Sequence, residues 1–451
     1  MSVKSFRHSL VVLLTFGAAA SPAAASDGTW KVVADLATPS SVAGGLGAPD
    51  IAAGPAGAGL ALFSSPFGSE LVSVSSAGGY SEPTALDGTS SYVNNRLASA
   101  GDGRVVLTGA TPRPWLQLRT IGTASTTTVR VPGKGRAAGI AVSENTHGDV
   151  AALVRFCVPA AGACRPATLS LVTVRSGQRK PAVRSLFRGT VDAPLAVSIS
   201  RTGRVLAAWS GARSKGRAEQ AYAAVSDAHL RHMDIRALGP ASAQLAMTAA
   251  IGASGRAVVA WVGERVRECH PESPATFRVA YAGSSGRWEQ TRLLDRWDFE
   301  ECGAALSGPG IQASVTEAGP AVVTWTSMSH GVFIVRAQAL ATSRRETTWT
   351  LSDPAANAVL RGMSTDQRGN RVAIWIRGLQ GSTASGPEAL VASAWTATGP
   401  RFGAPEQVSG EDTSGVMGNY TAGVSTAQDG SATAVWATPG GAAIATREPA
   451  M

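Results

Sequence analysis

The sequence predicts an all-β fold, an eight-bladed β-propeller of four-stranded antiparallel blades, on three observations. A glycine followed six residues later by an aromatic recurs along the chain, and each copy sits between turn residues and short apolar runs. The strand that the last copy lacks is found instead at the N-terminus. The clear copies are Gly57 and Phe63, Gly203 and Trp209, Gly255 and Trp261, Gly319 and Trp325, Gly369 and Trp375, and Gly430 and Trp436. Copies at Gly103 and Gly148 keep the glycine and the apolar run but lose the aromatic. Seven blades is the alternative count if one of those two is not a blade.

In chain order, residues 1–25 read as a secretory signal: Lys4 and Arg7 precede an apolar stretch over 10–20, and Ala23, Ala24 and Ala25 form a small-residue cleavage site. A stretch of about a dozen apolar residues falls short of the ~20 that a membrane span needs. The expectation is a secreted or periplasmic protein cleaved near Ala25, with residues 26–451 forming one propeller domain. The formal net charge is +9, carried mostly by arginines scattered singly. That pattern excludes a nucleic-acid patch but leaves room for attraction to acidic polymers.

Residues 28–36 carry glycine and tryptophan in the same register as 286–294, the fourth strand of a later unit. They are expected to complete the last blade, leaving no unpaired sheet edge at the junction. A linear solenoid would have no use for such an exchange. The units fall at about 48–88, 92–132, 137–188, 193–238, 243–295, 309–352, 358–409 and 419–448. In each, a small Ala/Ser-rich strand A turns through the glycine into strand B, which is apolar on both faces, as expected between neighbouring blades. Strands C and D follow. The strand-B aromatics are expected in the core between blades, not in a sugar-stacking ring.

Unit five has the longest loops, 263–274 and 295–310, with the densest charge in the chain. Arg265, Arg267, His270 and Asp298 are its candidate ligand-face residues, as a polar rim or as part of a carboxylate pair for glycoside chemistry. Four cysteines in an exported chain point to disulfides, and the strand order brings Cys157 near Cys164 and Cys269 near Cys302. Zinc is the weaker reading, because neither pair has metal-ligand spacing.

Residues at or just before each strand A stand nearest one mouth of the channel. Among them Arg96, Arg136 and Arg361 are candidates to grip a carboxylate, with Asp192 and Tyr420 beside them. His229 and His232, read as lying on a strand, should face opposite ways and not chelate one ion.

On the glycine-to-aromatic repeat, the chain resembles secreted bacterial β-propeller repeat proteins of a loosely sialidase-like kind. The resemblance implies the fold only. The stretch Ser364, Thr365, Asp366, Gln367, Arg368, Gly369 has one residue too many for the sialidase aspartate box. No catalytic residue is identified, no nucleophile elbow, zinc-protease helix or phosphate loop occurs, and neither cofactor nor metal is expected.

The reading is a monomeric, non-catalytic binding propeller whose partner is an acidic glycan, a cell-envelope component or another protein. A glycan-acting hydrolase or lyase and an envelope scaffold without a small ligand are the alternatives. The face carrying the variable loops is the expected ligand face.

Overall fold

The computed structural model describes residues 30–37, 50–54, 58–65, 68–75, 79–82, 84–85, 96–99, 104–109, 114–120, 126–157, 167–213, 218–241, 246–262, 275–297, 310–316, 320–329, 331–340, 347–366, 368–378, 388–396, 399, 401–411, 422–438 and 441–449. They form antiparallel strands, grouped into six four-stranded sheets and one seven-stranded sheet. Asp50–Ala53, Arg96–Ser99, Arg136–Glu144, Ala182–Ile199, Met247–Ile251, Ile311–Ser314, Ala358–Thr365 and Ala422–Thr426 each lie against the next in chain order, and Ala422–Thr426 lies against Asp50–Ala53. This is the arrangement of a multi-bladed β-propeller.

Where the repeat glycine lies among the described residues, it makes the A-to-B hairpin. Gly255 has φ +86°, where only glycine is unstrained, and its N–H donates to the Gly252 carbonyl at 3.0 Å while Gly252 N–H donates to Arg256 O at 2.9 Å. The same pair of bonds recurs at Gly148, Gly203, Gly369 and Gly430.

Strand B carries the core. Every residue of Ala257–Val262 is buried. Because side chains alternate, Ala257, Val259 and Trp261 pack with Leu206 and Ala208 of the preceding unit, while Val258, Ala260 and Val262 pack with Trp325 and Ile311 of the following one. Burial of each Val contributes about 1.5–3 kcal/mol. Phe63, Trp209, Trp261, Trp325, Trp375 and Trp436 are all buried between sheets, as their recurrence predicted. Trp261 Nε1 donates to Pro240 O at 2.8 Å, and Trp325 Nε1 to Asp295 Oδ2 at 3.0 Å.

Trp30–Ala37 pairs antiparallel with Gly441–Arg447, with Trp30 opposite Arg447, as the outer strand of the sheet that ends the chain. Three local expectations are corrected. No break separates units three and four: Ala182–Ile199 runs as one strand that belongs to both, which fuses them into the seven-stranded sheet. In unit five the outer strand is Arg292–Trp297, not 288–294, because Trp288 turns into the core and makes only an isolated bridge with Ala282. His229 and His232 lie in a turn, not on a strand, and Asp227 carboxylate oxygens accept both their backbone N–H groups.

Candidate functional site

The inner strands surround an axial cavity of about 360 Å³. Its wall follows the repeat. Counting back from the glycine, the residue five places earlier is a serine in several units, and that hydroxyl holds neighbouring inner strands together. Ser143 Oγ accepts Ile199 N–H at 3.3 Å, Ser198 Oγ accepts Ile251 N–H at 3.2 Å, and Ser364 Oγ accepts Thr426 N–H at 2.9 Å.

The residue one place later lines the cavity and varies. Ser99 and Glu144 come from the second and third inner strands, and Thr365 and Thr426 from the last two. Ile199, Ile251 and Val315 fill the positions between. At this position one arc of the wall is hydroxyl and carboxylate and the other aliphatic, while Ser198, Ser314 and Thr316 add hydroxyls beside the aliphatic arc. The hydroxyl oxygens of Thr365 and Thr426 are buried and meet no hydrogen-bond partner among the described residues. Both oxygens are closed off even from water, so each unmet hydrogen bond is a cost borne within the wall.

Asp366 also lines the cavity but is committed to its own turn. Its Oδ1 accepts Gly369 N–H at 2.7 Å and Asn370 N–H at 2.8 Å, and its Oδ2 accepts Asn370 Nδ2 at 2.6 Å. Burial nevertheless pushes its pKa above the usual carboxylate value. Ser200, Arg201, Gly252 and Ala253 complete the rim, so the cavity reaches the face of the short glycine turns.

Of the predicted channel-mouth residues, Arg96 is answered by Asp50 at 3.6 Å. Burial pushes the Asp50 carboxyl up, and Arg96 and the Leu97 N–H work against that. Burial lowers the pKa of Arg361, and the charge of buried Glu388 opposes the shift. Arg136 starts its strand exposed. Two of the three arginines are thus neutralised by the protein's own acids. Asp192 lies in the long strand shared by units three and four, at a bulge, and its side chain is outside the described residues. Tyr420, Arg265, Arg267, His270 and Asp298, with Cys164, Cys269 and Cys302, also lie outside them. Cys157 is described; it is buried at the end of its strand, opposite Arg136 and Ala167.

The lining residues Ser99, Glu144, Thr365 and Thr426 were not singled out from sequence. The signal was present: aligned on the glycine, they occupy one column of the repeat.

No family model matches the chain, and no curated protein matches it. Among solved structures it is similar to the β-propeller domain of the Trilobed protease from Pyrococcus furiosus, with 9% identity, TM-score 0.43, and coverage of 81% of this chain and 98% of that one. It is also similar to YCF48 from Cyanidioschyzon merolae, with 10% identity, TM-score 0.40, and coverage of 81% and 98%. A Hadza microbial sialidase, Hz136, shares 12% identity at TM-score 0.32, over 74% of this chain and 73% of that one.

Proposed function

We propose that the chain is an eight-bladed propeller, closed by its N-terminal strand, that holds a small hydroxyl-rich ligand in the axial cavity without transforming it. The carrying observation is the composition of the cavity wall, in which Ser99, Thr365, Thr426 and the carboxyl-bearing Glu144 occupy one arc of a repeat position and aliphatic Ile199 and Ile251 another. A sugar ring matches that division, since it presents C–H groups on one face and hydroxyls at its edge. The volume, about 360 Å³, is at the small end of ligand pockets, which run from about 300 to 1,000 Å³. Glu144 and Asp366 in the wall favour a neutral or amine-bearing sugar over an acidic one.

Binding without turnover is favoured by the engagement of Asp366. A glycosidase needs two available carboxyl groups, and this one already accepts three hydrogen bonds from its own turn. Export, with cleavage near Ala25, belongs to the same reading, and the first described strand, Trp30–Ala37, lies beyond that point. So do a monomeric state and the pairings of Cys157 with Cys164 and of Cys269 with Cys302; among the described residues no cysteine is free.

The test is calorimetric titration with glucose, glucosamine, N-acetylglucosamine and the β-1,4-linked disaccharide and tetrasaccharide of N-acetylglucosamine, with chromatography of the recovered ligand. Binding that weakens in Thr426→Val and Glu144→Gln, with the ligand recovered intact, is the expected result. A cleaved oligosaccharide in the same experiment would establish the hydrolase reading instead, and unchanged binding in both variants would remove the axial site.

A further inference from the structure

A second cavity, of about 330 Å³, lies at the flank of the propeller between the first two sheets. Leu60, Leu71 and Ser73 come from strands Gly59–Ser65 and Gly68–Val74 of the first sheet, and Trp115, Gln117 and Arg119 from strand Trp115–Thr120 of the second. The three residues of the second set are two apart on one strand, so they share a face. Trp115 packs against Leu60, Leu62, Leu71 and Leu97 and is only partly buried, which fixes its ring while leaving part of it on the cavity.

Arg119 is the unusual member. Its Nε donates to Gln117 Oε1 at 2.8 Å, which orients the guanidinium and leaves the two terminal nitrogens of the fork for another acceptor. Its side-chain partner among the described residues is this neutral amide and no acid lines the cavity, whereas Arg96, Arg175, Arg292, Arg377 and Arg447 face acids and Arg104, Arg155 and Arg184 are held by backbone carbonyls. Burial lowers its pKa, and no acid offsets that shift. A half-buried fork beside a neutral amide and a fixed aromatic ring has the form of an anion site in which charge and stacking act together.

We propose that this flank cavity binds a carboxylate carried on a ring, the carboxylate taken bidentately by Arg119 and the ring laid on Trp115. The Gln117 amide N–H and the Ser73 hydroxyl are the neighbouring groups that would meet hydroxyls of such a ligand. This goes beyond the axial site, whose acidic wall disfavours the same compound, and gives an acidic glycan a place to attach.

The test is titration of the full-length chain carrying Thr426→Val, which takes the axial site out of the signal, with glucuronate, benzoate and their uncharged counterparts glucose and benzyl alcohol, read by tryptophan fluorescence and calorimetry. Binding of at least one acid, with its uncharged counterpart at least about tenfold weaker, is expected. Arg119→Gln should remove that preference. Gln117→Glu should do the same while keeping the packing, because the new carboxylate would occupy the fork; it keeps the test decisive if Arg119→Gln fails to fold. Glucuronate without benzoate would identify an acidic saccharide, and benzoate without glucuronate a flat aromatic acid; both support the site. Equal affinity for acids and neutral analogues, or an acid preference that survives Gln117→Glu, would overturn it.

Discussion

The Ala53 N–H donates to Ser425 Oγ at 2.9 Å, joining inner strands 372 residues apart in the chain. The bond has the same form as those from Ile199 to Ser143 and from Ile251 to Ser198, which join inner strands of consecutive units. The junction between the ends of the chain is therefore built like any other. Removing one such hydroxyl strands a buried N–H, which costs about 1–3 kcal/mol. Ser425→Ala and Ser198→Ala should each lower the stability measured by urea unfolding by that amount. A loss in Ser198→Ala alone would show that the junction bond contributes nothing.

The outer strand Trp30–Ala37 covers Gly441–Arg447. A chain starting at residue 38 would expose that strand as a long, largely buried and apolar edge, which templates aggregation. Such a chain is expected to accumulate as oligomers on size exclusion. A peptide spanning 28–37, added during refolding, should restore the monomer. A monomeric, equally stable truncated chain would show that this strand pairing contributes nothing to stability or to protection of the edge.

The repeat was legible in the sequence because its two markers answer to strong local physics. A glycine is needed where φ is +86°, as at Gly255, and an apolar aromatic where nothing is exposed, as at Trp261. The outer strands were less legible. In Arg292–Trp297 a mixture of charged and apolar residues follows partial exposure, and a bulge between Phe277 and Arg278 shifts the register. The axial site lay one position beyond the resolution of that reading: Ser143 and Glu144 are adjacent in sequence and both line the cavity, yet only the first has its side chain bonded to the neighbouring inner strand at Ile199. The flank cavity was invisible because Arg119 and Leu71 meet only when two sheets pack side by side.

Glycines here are required for two different reasons, and substitution should separate them. Gly177 has φ +75° with nothing within 4 Å of an added Cβ, so Gly177→Ala bears only backbone strain, about 1–2 kcal/mol. Gly310 would place its Cβ 2.3 Å from the Leu360 carbonyl oxygen, a backbone atom of the next inner strand. Gly310→Ala must push two sheets apart and should be the more damaging, by roughly 1–3 kcal/mol as for other overpacking changes. Thermal unfolding of the two variants should preserve that order.

Arg371 is a cation buried to 2% exposure. Its Nε donates to Ser314 Oγ at 2.8 Å and its Nη2 to Pro320 O at 2.7 Å, and the guanidinium lies 4.6 Å from the Trp395 ring centre. Burial lowers its pKa to about 10, and the charge of Asp366 acts against the shift. Arg371→Met would leave Ser314, Pro320 and Asp366 without that partner and is expected to cost about 3–5 kcal/mol. Arg236→Ala, at an exposed ion pair, should cost no more than about 1 kcal/mol. Chemical denaturation of both variants checks the contrast.

Asp149 gives the fold a pH dependence whose sign is fixed. Its Oδ1 accepts Ser176 N–H at 3.0 Å, and its Oδ2 accepts Arg175 Nη1 at 2.9 Å and Asn145 Nδ2 at 3.3 Å. Burial raises its pKa, but these three bonds and the arginine charge together bring it below the ordinary aspartate value. A carboxyl with a depressed folded pKa stabilises the fold fully above its unfolded value, and the contribution fades as pH falls through the folded one. Asp149→Asn should therefore be destabilised at neutral pH by about 1–2 kcal/mol, reduced from the buried limit because the site is partly open to solvent. The gap to the parent protein should close as pH drops below the ordinary aspartate value of 3.8. Asp366, with its pKa raised by burial, runs the other way: its carboxylate costs stability at neutral pH, and the cost is relieved on acidification. Urea midpoints for the parent and Asp149→Asn between pH 7 and pH 3 decide the matter. A gap that stays constant over that range would mean that the asparagine is penalised for shape, not for the lost charge.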